Sequence, residues 1–203
     1  MTTTKTPEEK INQKMRRTSE QEIRSENNDA QEKVLEGYAV VFDKPTVLYE
    51  YGGIEYKEII DRHALDNADL KDVCLKYNHG DSALILARTK GDSLQLTIDN
   101  HGLKFRAKLP NTSSANDVYE LVKTEILNKC SFAFRCEEES YNSETHTRTI
   151  LKIKRLYDVS VVDIPAYDDT NVEARSFFDG IAKEQNATAR AQRVKRLVCR
   201  TYL

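Results

Sequence analysis

Apolar residues recur at every second position through the middle of this chain, and that period commits it to strands. Leu94, Leu96 and Ile98 alternate with Gln95 and Thr97; beyond Asn100-His101-Gly102, Leu103, Phe105, Ala107 and Leu109 alternate with Lys104, Arg106 and Lys108. Successive side chains of an extended chain point to opposite faces, so each run presents one apolar and one polar face. The turn between them predicts an antiparallel hairpin with one buried face. Leu35-Glu36-Gly37-Tyr38-Ala39-Val40-Val41-Phe42, Leu84-Ile85-Leu86-Ala87, Thr149 to Ile153 and Leu156 to Val162 read as further strands, the last ended by Pro165. Pro110 to Ser114 breaks the sheet. Ser114 followed by Asp117 resembles a capping box, opening a helix with Val118, Leu121 and Val122 on one face. Short strands with one or two interposed helices predict a mainly β, α+β domain, an antiparallel barrel or sandwich decorated by helices.

The 203 residues suffice for one domain with a sizeable core. Residues 1–34 are rich in Glu, Lys, Arg, Gln and Asn, with Ile11 and Ile23 almost the only aliphatics. Such a segment buries too little apolar surface to offset its ordering entropy, which predicts a flexible, charged N-terminal segment. The domain is expected over 35–175 and a basic helical tail over 176–203, where from residue 183 onward Lys183, Arg190, Arg193, Lys195, Arg196 and Arg200 stand against the single acid Glu184. A net charge of −2 gives no reason to expect nucleic acid as a partner. No apolar stretch follows the first residues, so neither a signal peptide nor a membrane span is predicted. The four cysteines, Cys74, Cys130, Cys136 and Cys199, lack metal-ligand spacing; reduced, unpaired thiols are expected, with no metal and no cofactor.

Three polar residues stand out against this frame. Ser131 lies in Lys129-Cys130-Ser131-Phe132-Ala133-Phe134, where alternation sends Phe132 and Phe134 one way and Ser131 and Ala133 the other. With the phenylalanines in the core, the serine faces a cleft or solvent, a setting that suits a nucleophile on a rigid element. An ordinary strand serine fits the same pattern. Cys130 is a rival nucleophile, but alternation puts it on the phenylalanine side. His79, in Tyr77-Asn78-His79-Gly80-Asp81, stands between two apolar strands, whereas His63 lies near a helix start, and His101 and His146 fall in polar turns. Asp158 interrupts an apolar run, sharing a strand face with Leu156, Ser160 and Val162, and a carboxylate there needs a partner. An imidazole N–H is one such partner and Arg155 another; Asp81 and Asp163 stay open as alternatives to Asp158. A hydroxyl, an imidazole and a carboxylate are the parts of an activated nucleophile, and the order His, Ser, Asp differs from that of the familiar serine hydrolase folds. No Gly-rich phosphate loop, HExxH or GxSxG elbow competes.

Gly37 to Phe42, Glu58-Ile59-Ile60, Asn78-His79-Gly80-Asp81, Ala87-Arg88-Thr89, Asp99 to Leu103, Ser131 to Phe134, Asp158 to Val162 and Pro165-Ala166-Tyr167 occur in that order. Over about residues 35 to 175 the ordered set resembles the prohead serine proteases of tailed bacteriophages. The resemblance implies a Greek-key-like, herpesvirus-protease-like β-barrel ringed by helices. It implies a serine endopeptidase that digests scaffold and trims the major capsid protein within the assembling procapsid in the host cytoplasm, with self-processing and a homo-oligomer as further expectations. His79 and Ser131 match the family's catalytic histidine and serine, and Asp158 falls where the family has an acidic residue before Val-Ser. Asn128-Lys129-Cys130 replaces the glycine, small residue and Met that commonly precede the serine, which alters the neighbourhood of the oxyanion hole. Leu86-Ala87-Arg88-Thr89 stands for the usual Leu-Gly-Arg-Thr, and Ser82 is kept. Two competing readings are a protease-like assembly protein that binds capsid subunits without cutting them, and a cysteine hydrolase using Cys130 and His79.

Overall fold

The computed structural model describes residues 14–19, 23–27, 32–79 and 85–163. In chain order its strands are β1 (Lys14–Ser19), β2 (Arg24–Asn27), β3 (Lys33–Val41), β4 (Thr46–Tyr51), β5 (Ile54–Ile60), β6 (Cys74–Tyr77), β7 (Ala87–Arg88), β8 (Leu94–Ile98), β9 (Gly102–Lys108), β10 (Lys129–Asn142) and β11 (Thr147–Val162), with one helix, α1 (Ser113–Lys123), before β10. The tail over 176–203, Pro165 and Asp81 lie outside the described residues.

Two sheets result. β2-β3-β9-β8 form the smaller, antiparallel one, and the larger follows β1-β10-β11-β5-β4 with β6 and β7 branching from β11. The fold is mainly β, as the alternation predicts. The expected antiparallel Greek-key-like barrel is corrected: the described strands form two separate sheets, and the larger is mixed. β5 and β6 both run parallel to β11, one beside Thr147 to Ile150 and the other beside Asp158 to Val161. Two strands placed end to end along one edge of a long strand cannot come from a succession of hairpins.

The predicted hairpin is β8–β9, with Leu94 opposite Ala107 and Leu96 opposite Phe105. Its buried face fades towards the tip, where Ile98 is exposed. Gly102 at that tip is required by close packing, because a Cβ there would lie 1.9 Å from the carbonyl oxygen of Val40 on β3. The helix starts earlier than expected: Thr112, in extended conformation, accepts from the Ala115 N–H and caps it in place of Ser114. Ala115, Val118, Tyr119 and Val122 are its buried residues, and Leu121 packs against the core partly buried, so Tyr119 joins the face expected of Val118, Leu121 and Val122. His63 lies in a turn rather than at a helix start.

The segment 1–34, expected to be flexible, contributes β1 and β2. Both are held by edges of existing strands, β1 by β10 and β2 by β3, and Ile23 between them is buried in the main core. Backbone pairing there supplies what local composition lacks. The two strands expected around 149–162 are one continuous strand, β11, whose pairing with β10 is interrupted by bulges.

Candidate active site

The β10–β11 ladder sets Ser131 opposite Ser160 and Ala133 opposite Asp158, so these four share one face. Cys130 and Phe132, opposite Val161 and Val159, point into the core on the other. The register slips by one residue beyond Ala133: Phe134 pairs with Leu156, leaving Tyr157 as the extra residue. Paired residues face the same way, and Ala133 and Phe134 face opposite ways, so the bulge turns Leu156 away from Asp158. The expected shared face of Asp158 and Leu156 is therefore corrected, and the carboxylate has left the apolar side of the strand.

His79 arrives from another strand. β6 runs beside the end of β11, then Asn78 and His79 both adopt left-handed backbone, φ 52° and 51°. That conformation is uncommon outside glycine, and Asn and His are among the residues that tolerate it best. The turn is pinned to β11 at both groups of Asn78: its N–H donates to the Val161 carbonyl at 2.9 Å, and its side-chain oxygen accepts from the Asp163 N–H at 3.2 Å. The imidazole is thereby brought over the Ser131–Ser160 face.

The resulting bonds run in series. His79 Nε2 lies 2.6 Å from Ser131 Oγ, and His79 Nδ1 lies 2.5 Å from Asp158 Oδ1. Ser160 Oγ donates to Asp158 Oδ1 at 3.0 Å and lies 3.1 Å from His79 Nδ1. All four residues are buried, so Ser131 does not face the cleft or solvent expected of it. Asp163 is exposed and accepts from the Tyr77 hydroxyl. Cys130 lies wholly within the core, and burial pushes its thiol up to about 12, which leaves no thiolate near neutral pH. Cys74, Cys130 and Cys136 are free thiols.

Sequence reasoning missed Ser160 as a partner, although its place two residues from Asp158 on one strand was the available signal. It also missed Arg17. The Ser131 hydroxyl donates to the Arg17 backbone carbonyl at 2.7 Å. A hydroxyl has one proton, so while it donates there it does not donate to His79.

Among the described residues no group of His, Cys, Asp and Glu is arranged to hold a metal ion, and no helix is long and apolar enough to cross a membrane.

A serine, an imidazole and a carboxylate bonded in series on a β scaffold form the nucleophile–base–orienter arrangement of serine hydrolases. Residues 19–183 match the model of the caudovirus prohead serine proteases, and the chain belongs to that family. It is 29% identical to the prohead protease of Escherichia phage T5 over 93 residues, which are 46% of this chain and 43% of the T5 protein. The chain thus spans less than half the length of this relative. Among solved structures it is similar to the capsid assembly protease of bacteriophage T4, with a TM-score of 0.48 and 11% identity over 75% of this chain and 98% of that one.

Proposed function

We propose that this protein is a serine endopeptidase that cleaves scaffold and capsid proteins within the assembling procapsid in the host cell. The observation that carries the reading is the Ser131–His79–Asp158 hydrogen-bonded series in a chain of the prohead protease family. Ser131 Oγ attacks the peptide carbonyl carbon while His79 Nε2 takes its proton. Asp158 holds Nδ1 protonated and stabilises the imidazolium that forms; Ser160 fixes the carboxylate by its own hydrogen bond. The proton passes to the leaving amine, and water, activated by the same imidazole, releases the acyl group. Backbone N–H groups near Ser131 supply the oxyanion hole. The chain's own termini are further substrates in this reading.

The decisive experiment co-expresses the protein with its phage's capsid and scaffold proteins. Wild type yields shortened products, and Ser131→Ala loses processing by on the order of 10⁴-fold or more while keeping its fold. A fluorophosphonate attaches to Ser131, located by mass spectrometry. Processing that survives Ser131→Ala refutes the assigned nucleophile. Intact masses for wild type and Ser131→Ala that differ only by the one oxygen atom lost in the substitution, with the same two ends, refute self-processing.

A further inference from the structure

The nucleophile of the proposed reaction is covered by a strand of its own chain. β1 lies antiparallel along β10, with Thr18 opposite Ser131 and Arg17 opposite Phe132. The Arg17 carbonyl oxygen accepts from the Ser131 hydroxyl at 2.7 Å. The side chain of the same residue is buried, and its guanidinium meets the Glu58 carboxylate on β5 through two nitrogens, Nη2 at 2.9 Å from Oε2 and Nε at Oε1. Glu58 is itself only 3% exposed. Its Oε2 also accepts from Arg148 Nη1 on β11 at 3.2 Å, and Arg148 bonds Glu139 on β10.

Two arginines thus face two carboxylates. Three of the four belong to β5, β10 and β11; Arg17 alone comes from the edge strand. With β1 gone, Glu58 and Glu139 keep one of these arginines between them, and a buried, uncompensated carboxylate strongly favours whatever brings the positive charge back. An extended peptide adds to a sheet in this manner: backbone pairing holds it and side-chain pockets select it. The family match starts at residue 19, so β1 precedes it but for its final residue, while Glu58, Glu139 and Arg148 lie within it.

We infer that β1 occupies the place of a substrate strand, and that Glu58 is a specificity-determining residue selecting a basic side chain on the residue whose carbonyl meets Ser131. The inference rests on the proteolytic reading above. Arginine is favoured over lysine because its planar fork matches a carboxylate with two bonds. As held, Arg17 presents its carbonyl oxygen to the hydroxyl, and attack needs the carbon, so the resident strand keeps the site shut. A substrate strand that replaces it is cut after its basic residue. Ser131 Oγ bonds the carbonyl carbon, the C–N bond to the next residue breaks, and the serine proton reaches the departing amine through His79. Water then frees the new carboxylate.

Peptides spanning residues 12–22, with Lys14 and Arg16 changed to Gln and with Arg, Lys or Gln at position 17, provide the test. They are incubated with the full-length wild type and with full-length Arg17→Gln and Glu58→Gln, and products are read by mass spectrometry. The expected product ends at position 17, with kcat/KM higher for Arg than for Gln by about 10- to 150-fold. In Glu58→Gln that ratio shrinks to about 3-fold or less, as a neutral pocket has no charge-assisted bond to offer. Arg17→Gln releases the resident strand, so fluorophosphonate labels Ser131 about 10-fold faster than in wild type. Equal labelling overturns the occupancy. Labelled Ser131 with equal cleavage of Arg and Gln peptides overturns the specificity and leaves the protease reading standing. A folded Arg17→Gln protein that neither labels nor cuts any peptide or capsid protein removes both. If Glu58→Gln fails to fold, the Arg-to-Gln ratio on wild type decides.

Discussion

Ser131 and Ser160 face each other across the β10–β11 ladder and reach opposite nitrogens of His79, at 2.6 Å from Nε2 and 3.1 Å from Nδ1. Two strand-borne hydroxyls thereby bracket one imidazole carried by a turn. In the proposed mechanism one reacts and the other steadies the carboxylate, and the two roles are separable by mutation.

Asp158→Asn keeps the shape of the side chain and removes its charge. The amide no longer enforces a proton on Nδ1, so Nε2 is not held free to take one from Ser131. A fall in kcat of about 10⁴-fold is expected, with the thermal midpoint little changed. A kcat within tenfold of wild type rules out Asp158 as the orienting group.

Ser160→Ala removes one donor from Asp158 and leaves the carboxylate bonded to His79. The loss of one hydrogen bond of roughly 1 kcal/mol corresponds to about a fivefold drop in kcat. KM should stay constant, because Ser160 lies behind the imidazole rather than against substrate. A change confined to KM contradicts this role.

The Cys130 thiol makes stability pH-dependent. Burial pushes it up to about 12, whereas an unfolded thiol titrates near about 8.5. Between those values the folded chain retains a proton that the unfolded chain has released. Its contribution is complete below about pH 8.5 and is lost as pH rises towards 12, by up to about 1.4 kcal/mol per pH unit. Urea denaturation at pH 8 and pH 10 should show a steeper decline for wild type than for Cys130→Ala. Equal declines would mean that the thiol is accessible and already ionised.

Gly102→Ala tests the junction between the sheets' hairpin tip and β3. The added methyl would meet the Val40 carbonyl oxygen at 1.9 Å, and neither partner is a flexible side-chain end. A loss of about 1–3 kcal/mol is expected from chemical denaturation. Unchanged stability would show that β3 gives way freely.

Much of this arrangement was legible in the sequence, and the remainder was hidden for definable reasons. Period-two alternation separates Ser131 from Cys130 and builds the β8–β9 hairpin, since both depend only on neighbouring residues. The same rule misplaced Asp158 beside Leu156 because the bulge at Tyr157 leaves no mark in composition. His79 is brought to the ladder by parallel pairing of β6 with β11, a register set by contacts far apart in sequence. The larger sheet escaped for the same reason, its strand order being non-local. Arg17 lay in a stretch whose composition predicts flexibility, and the edge of β10 and the carboxylate of Glu58, far away in sequence, give that stretch a place to bind.

The distances along the chain between the three central residues carry a consequence for biosynthesis. His79 and Ser131 are 52 positions apart, and Asp158 follows His79 by 79. A nascent chain emerging from the ribosome therefore exposes the imidazole first, the serine next and the carboxylate last, on the final described strand. Until β11 has been made and paired, neither the ladder nor the docking edge for β6 exists. On the proposed mechanism, chains still in translation thus carry Ser131 without the groups that activate it, and catalytic competence arises late, once β11 has paired.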